Sequence, residues 1–166
     1  MTIKPHGSRS LEIRRAESGD ATAISSVLYE SFVEFRAQYS DGGFAATALS
    51  AEQILIRMQE GPVWIALREG VVLGTVSAVV RGESVYIRGM AVMPGARGTG
   101  SGAALLREVQ DWAVHEGYRR LFLSTTPFLT TAIRLYEGFG FQRVDEDPQD
   151  LLGTPLFTMQ KIVELA

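Results

Sequence analysis

The sequence predicts a single α/β domain built on a mixed, mostly antiparallel β-sheet with helices on both faces. Three observations support this class. Segments that alternate apolar and polar residues are interspersed with segments that have the period of amphipathic helices. Three of the strand-like segments follow one another with short glycine-containing joints, which is typical of an antiparallel meander. The chain of 166 residues, 46% apolar and 21% charged, is long enough for one sizeable core.

The first part of the chain predicts one strand and two helices. Residues 1–9 have no periodic pattern, and we expect a flexible leader there, followed by one domain over residues 10–166. LEIRRA alternates like a strand, and Ser18 or Asp20 is placed to cap the next helix. DGGFAATALS, residues 41–50, is expected to be a loop. The first helix has one apolar face (Ile24, Val27, Leu28, Ser31 and Phe35), and a shorter helix starts at Ser50 (with Ile54, Leu55 and Met58).

The rest of the chain completes the pattern. VWIALRE, VVLGTVSAVV and SVYIRGMAV are the three meander strands. The period then becomes that of a helix, with Gly117 as its C-terminal stop and one apolar face (Leu105, Leu106, Val109, Trp112 and Ala113). RRLFLST is a strand, TTAIRLYEGFG a short helix, and FQRV and PLFTMQKIV the last strands, joined by a solvated connection, DEDPQDLLGT. The predicted order is β-α-α-β-β-β-α-β-α-β-β.

Composition excludes several classes of function. With 19 acidic and 16 basic residues, the net charge of −3 lacks the basic footprint of a nucleic-acid binder. The absence of cysteine excludes disulfides, thiolate nucleophiles and cysteine metal sites. His6 and His115 do not form a ligand set, so no metal site is expected. No apolar run approaches the ~18 residues of a membrane span, so we expect no membrane association and a cytoplasmic protein.

The stretch AVMPGARGTGSGAALL places four glycines between a predicted strand and a predicted helix (Gly95, Gly98, Gly100 and Gly102). A glycine-rich loop at the start of a helix exposes several backbone N–H groups in one direction. The helix dipole at that end also favours an anion. A phosphate group is therefore the expected ligand, although glycines that only form a tight connection are an alternative interpretation.

Two common phosphate motifs fit this stretch poorly. Gly95 and Gly100 have the spacing of a nucleotide-hydrolase phosphate loop, but Ser101 stands where that motif requires lysine. Gly98, Gly100 and Ala103 match the dinucleotide fingerprint G-x-G-x-x-[GA]. That fingerprint should leave a strand directly and be followed by an acidic residue about 20 positions later. Here residues 94–97 intervene, and RRLFLST contains no acid.

A third pattern fits better. Arg97-x-x-Gly100-x-Gly102, between MAVMP and an amphipathic helix, resembles the acetyl-CoA signature of the GNAT family of N-acetyltransferases. Downstream, AIRLYEGFGF (Ala132 to Phe141) resembles the second hallmark of that family, A-x-x-L-Y-x-x-x-G-F. The order of elements agrees as well, over residues 11–163. The resemblance implies a single-domain GNAT fold whose central sheet is splayed at its middle.

The same resemblance implies a site for acetyl-CoA as co-substrate. The strand before the loop is expected to carry a bulge and to separate from its neighbour, so that Met90, Ala91 and Val92 offer main-chain contacts to the acyl group and the pantetheine arm. The phosphates are expected on the loop (Arg97, Gly98, Thr99, Gly100, Ser101 and Gly102). Tyr136 matches the family tyrosine that protonates the leaving thiolate. Its alternative role is packing as a half-buried helix residue.

Two departures from the family pattern concern catalysis. Leu129 stands where the family often has an asparagine, and Thr130 or Thr131 is available to replace part of its hydrogen bonding. Tyr86 stands where some members carry a glutamate base. The other candidate bases, Glu83, Glu30 and Glu34, are more typical of solvated charges. The sequence therefore assigns no general base.

The expected amine substrate is small or amino-acid-like. Strand periodicity places Tyr86, Arg88 and Met90 on one face, where Arg88 either binds a substrate carboxylate or is exposed or paired within the fold. Aromatic residues of the first helix are further candidates for this pocket (Tyr29, Phe32, Phe35 and Tyr39). Acetylation of a protein N-terminus or lysine, and acyl-CoA binding without turnover, remain alternatives. Family members are often dimers, and a homodimer is expected on that ground alone.

Overall fold

The computed structural model describes residues 10–147 and 149–164, so the leader expected at residues 1–9 lies outside the described residues. The strands are β1 (Glu12–Arg15), β2 (Val63–Arg68), β3 (Val71–Arg81), β4 (Ser84–Val92), β5 (Arg120–Thr125), β6 (Gln142–Arg143), β7 (Gln149–Leu151) and β8 (Thr154–Ile162). The α-helices are α1 (Ala21–Phe32), α2 (Asp41–Thr47), α3 (Ala51–Glu60), α4 (Ser101–His115) and α5 (Thr130–Gly138). Short 3-10 turns cover Ser18–Asp20, Val33–Gln38 and Pro94–Ala96.

The strands form one sheet in the order β1-β2-β3-β4-β5-β8-β6, with β7 paired to β8. Every pair of neighbours is antiparallel except β4 and β5, which are parallel. The parallel pair requires a crossover, and α4 with the loop before it supplies that connection. This mixed, mostly antiparallel sheet confirms the fold class that the sequence predicts.

Helices cover both faces of the sheet. Strand β2 illustrates the division, because Trp64 and Ala66 belong to the core shared with α4 and α5, whereas Ile65 belongs to the core shared with α1 and α3. All three side chains are buried. Since successive side chains of a strand point to opposite faces, a strand covered on both sides is a continuous apolar run. VWIAL, residues 63–67, is such a run, and its composition follows from burial on both faces.

The segment predicted as a loop at residues 41–50 contains helix α2, so that prediction was wrong. Its two glycines lower helix propensity, but tertiary contacts select the helix. Ser40 Oγ accepts a hydrogen bond from the Gly43 N–H at 2.9 Å and caps the first turn. A Cβ on Gly43 would lie only 2.3 Å from Thr154 Oγ1, so glycine allows α2 to pack closely on β8.

The connection predicted over DEDPQDLLGT contains strand β7, which pairs with the start of β8. Leu152 and Gly153 form the turn and both have positive φ, 52° and 102°. Two such residues are typical of the tight turns that join antiparallel strands. Ser40 Oγ lies 2.8 Å from the carbonyl oxygen of Leu152 and donates to it, so the hairpin is hydrogen-bonded to the residue that caps α2. Leucine at positive φ is uncommon, and the sequence therefore gives little sign of this turn.

Strand β4 carries a bulge opposite β3. Ser77 pairs with Arg88 and Thr75 with Ala91, so two residues of β4, Gly89 and Met90, face one residue of β3. Gly89 has a φ of 62°, in the left-handed region that favours glycine. The extra residue reverses the alternation of side chains, as expected for a bulge.

The bulge corrects the expectation that Tyr86, Arg88 and Met90 share one face. Tyr86 and Arg88 lie on the α3 side of the sheet, where Arg88 contacts Glu60. Met90 packs with the core of α4 and α5 on the opposite side. The period of two holds only up to the bulge, because Gly89 and Met90 together oppose a single residue.

The sheet opens at its middle. Parallel pairing of β4 and β5 covers only Ser84–Ile87 and residues 120–123. Beyond these residues β4 remains paired to β3 as far as Val92, while β5 remains paired to β8 as far as Thr125. The two central strands therefore separate where β4 approaches the glycine-rich stretch.

Candidate active site

A cleft of about 770 Å³ lies where β4 and β5 separate. Residues from both faces of the sheet line it, including Tyr39 and Arg57 from the side of α1 to α3 and Gly102 and Tyr136 from the side of α4 and α5. Its charged lining consists of arginines alone (Arg57, Arg81, Arg88, Arg97 and Arg134). No Asp, Glu, Lys or His within the described residues lines it. The cleft is thus electropositive in a chain of net charge −3.

The glycine loop, residues 97–102, lies at one end of the cleft and leads into α4. Gly98 and Gly100 have φ values of 77° and 88°, and a Cβ on either would meet no atom within 4 Å. The space beside them is therefore open. The Ala104 N–H donates to the Gly100 carbonyl at 3.0 Å and begins the helical hydrogen bonds. The N–H groups of residues 101–103 precede this bond and have no acceptor within the helix, which is the arrangement that binds phosphate groups.

Gly102 has a different role from Gly98 and Gly100. A Cβ there would lie 2.7 Å from Leu135 Cδ2 and 3.5 Å from the terminal methyl of Met90. Glycine at this position lets the first turn of α4 pack closely on α5. The two sequence hallmarks, the glycine loop and AIRLYEGFGF, are therefore in direct contact.

Side chains of the loop hold its shape. Thr99 Oγ1 donates to the Ala96 carbonyl and lies 3.1 Å from Ser101 Oγ. Arg68 Nη2 donates to the Thr99 carbonyl at 3.3 Å. Ser101 is buried, and neither Thr99 nor Ser101 lines the cleft. These contacts direct the side chains of Thr99 and Ser101 back onto the loop, so the groups that the loop offers to a ligand are backbone N–H groups.

Arg97 lines the cleft, but its guanidinium is directed at the turn after α1. Nη1 donates to Glu34 Oε1 at 2.5 Å, and Nη2 donates to the Ser31 carbonyl at 3.0 Å. Glu34, expected as a solvated charge, is therefore an ion-pair partner of the glycine loop. The side chain of Arg97 is therefore neither free in solvent nor directed at the backbone of the glycine loop.

Met90, Ala91 and Val92 line the cleft along the separated part of β4. Their edge of the strand has no β5 partner among the described residues, because parallel pairing ends at Ile87. Ser31 Oγ donates to the Val92 carbonyl at 3.1 Å and holds the end of the strand against α1. An unpaired strand edge offers main-chain hydrogen bonds to an extended ligand.

Tyr136 lies on α5 and lines the cleft. The residue is 6% exposed and its ring meets Phe141 edge to face, with ring centroids 6.0 Å apart. Burial raises the pKa of its hydroxyl above the ordinary value of 10.0. The side chain therefore keeps its proton at neutral pH. It belongs to the core of α4 and α5 and also lines the cleft, so its position fits both of the roles that the sequence left open.

Tyr86 lines the end of the cleft opposite the glycine loop, together with Arg57, Arg81 and Arg88. We call these three arginines the arginine end. The Tyr86 ring lies 5.0 Å from the ring of Phe122, and the Arg81 guanidinium lies 4.6 Å from the Tyr86 centroid. Arg88 Nη2 contacts Glu60 Oε1 at 3.2 Å. Arg57 was not singled out from the sequence, since its position on α3 gives no sign that it faces the cleft.

The aromatic candidates divide between the cleft and the surface. Phe32, Phe35 and Tyr39 line the cleft, and the Tyr39 and Phe128 rings meet edge to face at 4.9 Å. Burial raises the pKa of Tyr39 to about 12. Tyr29 is 50% exposed and contacts Phe44 instead, so it lies outside the cleft.

The position of Leu129 bears on the missing asparagine. Leu129 precedes α5 without a side-chain cap and packs in the core of α1 and α3. Thr130 and Thr131 line the cleft. Thr126, which sequence reasoning missed, is 2% exposed and lines the cleft. Its position directly after the predicted strand RRLFLST, which enters the site, was the sequence signal that could have identified it.

The described residues hold no group of three His, Asp or Glu side chains able to bind a metal ion. None of their helices combines the length and hydrophobicity needed to cross a membrane. Glu83 and Glu30, the other candidate bases, are exposed and do not line the cleft. The described wall of the cleft therefore offers no carboxylate or imidazole that could deprotonate a bound amine.

The model of the acetyltransferase (GNAT) family matches residues 25–141. YjgM of Escherichia coli strain K12, an uncharacterised N-acetyltransferase, is 30% identical over 138 residues, which cover 80% of this chain and 83% of that protein. The N-acetylaspartate synthetase of Danio rerio is 39% identical over 85 residues, 50% of this chain. The chain spans only 30% of the length of that synthetase.

A solved structure agrees in fold. The PaiA N-acetyltransferase of Thermoplasma acidophilum, crystallised in complex with coenzyme A, superposes with a TM-score of 0.79. The superposition covers 92% of this chain and 99% of that chain, at 19% sequence identity. At this identity the likeness concerns the fold alone.

Proposed function

Because the chain belongs to the GNAT family of acetyltransferases, we propose that it transfers an acetyl group from acetyl-CoA to the primary amine of a small or amino-acid-like substrate. One observation carries the proposal. The cleft runs through the opening between β4 and β5 and has the glycine loop at one end and the arginine end at the other. Two substrates that approach from opposite faces of the sheet can meet at this opening.

The glycine loop is the proposed site of the pyrophosphate of acetyl-CoA. The open space beside Gly98 and Gly100 and the unpaired N–H groups at the start of α4 support this assignment. The free edge of Met90, Ala91 and Val92 would pair with the pantetheine arm in the manner of an added strand. Arg134, on α5, lines the same cleft and has no ion-pair partner among the described residues. It is a further candidate for a phosphate contact.

Acetyl-CoA supplies a thioester carbonyl that an uncharged amine can attack directly. The chain must then place the amine, stabilise the charge that develops on the carbonyl oxygen, and protonate the leaving thiolate. Main-chain N–H groups of the separated part of β4 are the proposed donors to that oxygen. Tyr136 is the proposed proton donor, and its hydroxyl carries its proton throughout the neutral range.

The described cleft wall carries no carboxylate or imidazole, so we assign amine deprotonation to water. Solvent enters at the arginine end, where Arg81 is exposed. The proposal requires the amine to bind in its neutral form or to lose a proton to a water molecule. Either route makes the rate depend on the pKa of the amine substrate.

Two alternatives concern the substrate and the activity. Acetylation of a protein N-terminus or lysine needs a groove that admits an extended chain. The cleft is lined by α2 and by the β7–β8 hairpin, which are linked by Ser40, whose backbone N–H donates to Thr154 Oγ1 at 2.9 Å. This closed wall favours a small substrate. The other alternative is a module that binds acyl-CoA without turnover.

Release of free coenzyme A thiol from acetyl-CoA, measured across a panel of amines, tests the proposal. We expect thiol release that depends on both an amine and the protein, with a matching N-acetylated product in the mass spectrum. Calorimetric titration with coenzyme A supplies the companion measurement. Tight coenzyme A binding with no amine-dependent release would support the binding module and overturn the proposed activity.

A further inference from the structure

We propose that the arginine end selects amines that also carry a carboxylate, and that Arg57 and Arg88 bind this carboxylate. The inference rests on the proposed function, since it names the class of amine that the same cleft accepts. It follows from the charge of the cleft wall, from the unpaired Nε of Arg88, and from the packing of Arg57 against the β4 bulge.

The charge of the wall is the first argument. Three of the arginines that line the cleft, Arg57, Arg81 and Arg88, lie away from the glycine loop and from α5. Phosphates bound at the loop would therefore not neutralise this second group of cations. Glu60, the only carboxylate within 4 Å of any of them in the described chain, is not itself part of the cleft lining. The arginine end retains excess positive charge.

An unpaired polar group is the second argument. Among the described residues, Arg88 Nε is buried and lacks a hydrogen-bond partner. Arg88 lines the cleft. Buried polar groups in native proteins are almost always paired, so an unpaired one indicates a missing partner. The N–H of Arg88 requires an acceptor, and a carboxylate oxygen is the strongest acceptor available for a guanidinium.

The surroundings of Arg88 leave Nε for a ligand. The side chain is 17% exposed, and its Nη2 already contacts Glu60 at 3.2 Å. Glu60 approaches this one nitrogen, so it leaves Nε on the guanidinium unpaired. A ligand carboxylate that reached Nε would complete the hydrogen bonding of the group.

The bulge of β4 positions Arg57 beside Arg88. A Cβ on Gly89 would lie 2.6 Å from Arg57 Nη1, so the guanidinium rests directly on the glycine of the bulge. Arg57 has no hydrogen-bond or ion-pair partner within the described residues. Burial and the charge of Arg88 lower the pKa of Arg57 to about 10, as expected when two cations share a partly buried site. A carboxylate between the two arginines would relieve this repulsion.

The same arrangement disfavours polycationic amines. A polyamine or an aminoglycoside would bring additional positive charge beside Arg57, Arg81 and Arg88. Like charges that face each other across a site are an effective means of rejecting a substrate. The chemistry of the wall therefore separates amino acids from cationic amines.

Steady-state kinetics with matched substrates test the inference. The pairs are L-aspartate with L-asparagine, and L-alanine with L-alaninamide, with spermidine as the cationic amine. Values of kcat/KM are expressed per unprotonated amine, so that differences in amine pKa do not enter. We expect each additional carboxylate to raise kcat/KM roughly 10- to 100-fold, as for hydrogen bonds to charged groups. Equal values for the free acids and their amides would overturn the inference.

Variants assign the effect to residues. Arg57→Met and Arg88→Met should each raise the KM for the acid substrates roughly 10- to 100-fold. Neither change should alter the KM for acetyl-CoA, whose proposed site lies at the other end of the cleft. Arg107→Met, an exposed arginine of α4 outside the cleft, is the matched control. An unchanged KM in both cleft variants, in proteins that melt like the parent, would contradict the assignment.

Glu60→Gln provides a second test with the opposite sign. It removes the carboxylate that competes for Arg88 while keeping a similar volume, and Glu60 is half exposed at the end of α3. We expect a lower KM for the acid substrates, by about two- to five-fold, since a partly exposed ion pair is weak. A higher KM for the acid substrates would contradict the inference. Failure of every amine to release thiol would instead overturn the proposed function, which keeps the two outcomes separate.

Discussion

Arg97 and Glu34 form an ion pair that joins the glycine loop to the turn after α1. The distance between Arg97 Nη1 and Glu34 Oε1 is 2.5 Å, and the two side chains are 31% and 46% exposed. A second hydrogen bond, from Arg97 Nη2 to the Ser31 carbonyl, holds the other terminal nitrogen of the guanidinium. The cation that the sequence suggests for the phosphates is therefore engaged elsewhere, and the loop offers its backbone instead.

The first prediction follows from this pair. Arg97→Met should change the affinity for coenzyme A by less than about three-fold, because exposed ion pairs contribute only ~0–1 kcal/mol and the guanidinium already has partners. Calorimetric titration with coenzyme A in low and moderate salt measures the change. A loss of ten-fold or more would mean that Arg97 leaves Glu34 to bind phosphate.

A second prediction concerns the backbone of the loop. Gly100→Val places a β-branched side chain in the open space beside the N–H groups, at a φ of 88° that valine disfavours. Coenzyme A binding should weaken by ~2 kcal/mol or more, about 30-fold. The fold should survive, because surface loops tolerate substitution better than cores.

Gly95→Ala is the matched control for the loop. Gly95 also has open space around a Cβ but no positive φ. We expect near-parental affinity for coenzyme A. Unchanged affinity in folded Gly100→Val protein would contradict the assignment of the phosphates to this backbone.

Tyr136→Phe is the third prediction. The change removes one hydroxyl and almost no volume. A positioned general acid contributes roughly 10²- to 10⁴-fold, so kcat should fall by about that factor. The KM for acetyl-CoA should change little, since the loop and the edge of β4 are intact. Single-turnover measurements with a good amine substrate isolate the chemical step.

Tyr118→Phe controls for packing. Tyr118 follows α4, is half-buried against the same core, and does not line the cleft. Near-full turnover in both variants would show that Tyr136 only packs and that water protonates the thiolate. A loss of thermal stability specific to Tyr136→Phe would also favour the structural role.

The fourth prediction concerns stability at alkaline pH. Burial raises the pKa of Tyr39 to about 12 and raises that of Tyr136 above the ordinary 10.0. The unfolded chain loses these protons first as the pH rises, so the folded state binds more protons between pH 10 and 12. Each tyrosine makes its full contribution to the free energy of unfolding below pH 10. This contribution is lost as the pH rises toward the pKa of the tyrosine in the folded state.

Urea denaturation at pH 9, 10 and 11 measures this loss. The free energy of unfolding should fall above pH 10, by at most ~1.4 kcal/mol per pH unit for each tyrosine. Tyr39→Phe should remove the part of this pH dependence that Tyr39 contributes. The same slope in the variant as in the parent would mean that Tyr39 ionises normally in the folded protein.

The sequence by itself determined the features that depend on local chemistry. Ser50 and Gln53 form the reciprocal cap at the start of α3, with Ser50 N–H donating to Gln53 Oε1 at 2.9 Å. This motif needs only residues three positions apart. Strand and helix periods likewise report burial directly, so the sheet class and α4 were predictable. The glycine loop was recognisable because positive φ and close packing select glycine itself.

Only the tertiary structure decided the features that depend on residues distant in the chain. The packing of Gly43 on Thr154 makes α2 helical despite its glycines, and the bulge at Gly89 moves Met90 to the opposite face from Arg88. Arg57 reaches the cleft because α3 packs beside that bulge. A sequence pattern records which side of an element is buried, whereas it does not record which other element covers that side. The ends of the cleft, and the charges that face each other there, therefore emerge only when the strands and helices are assembled.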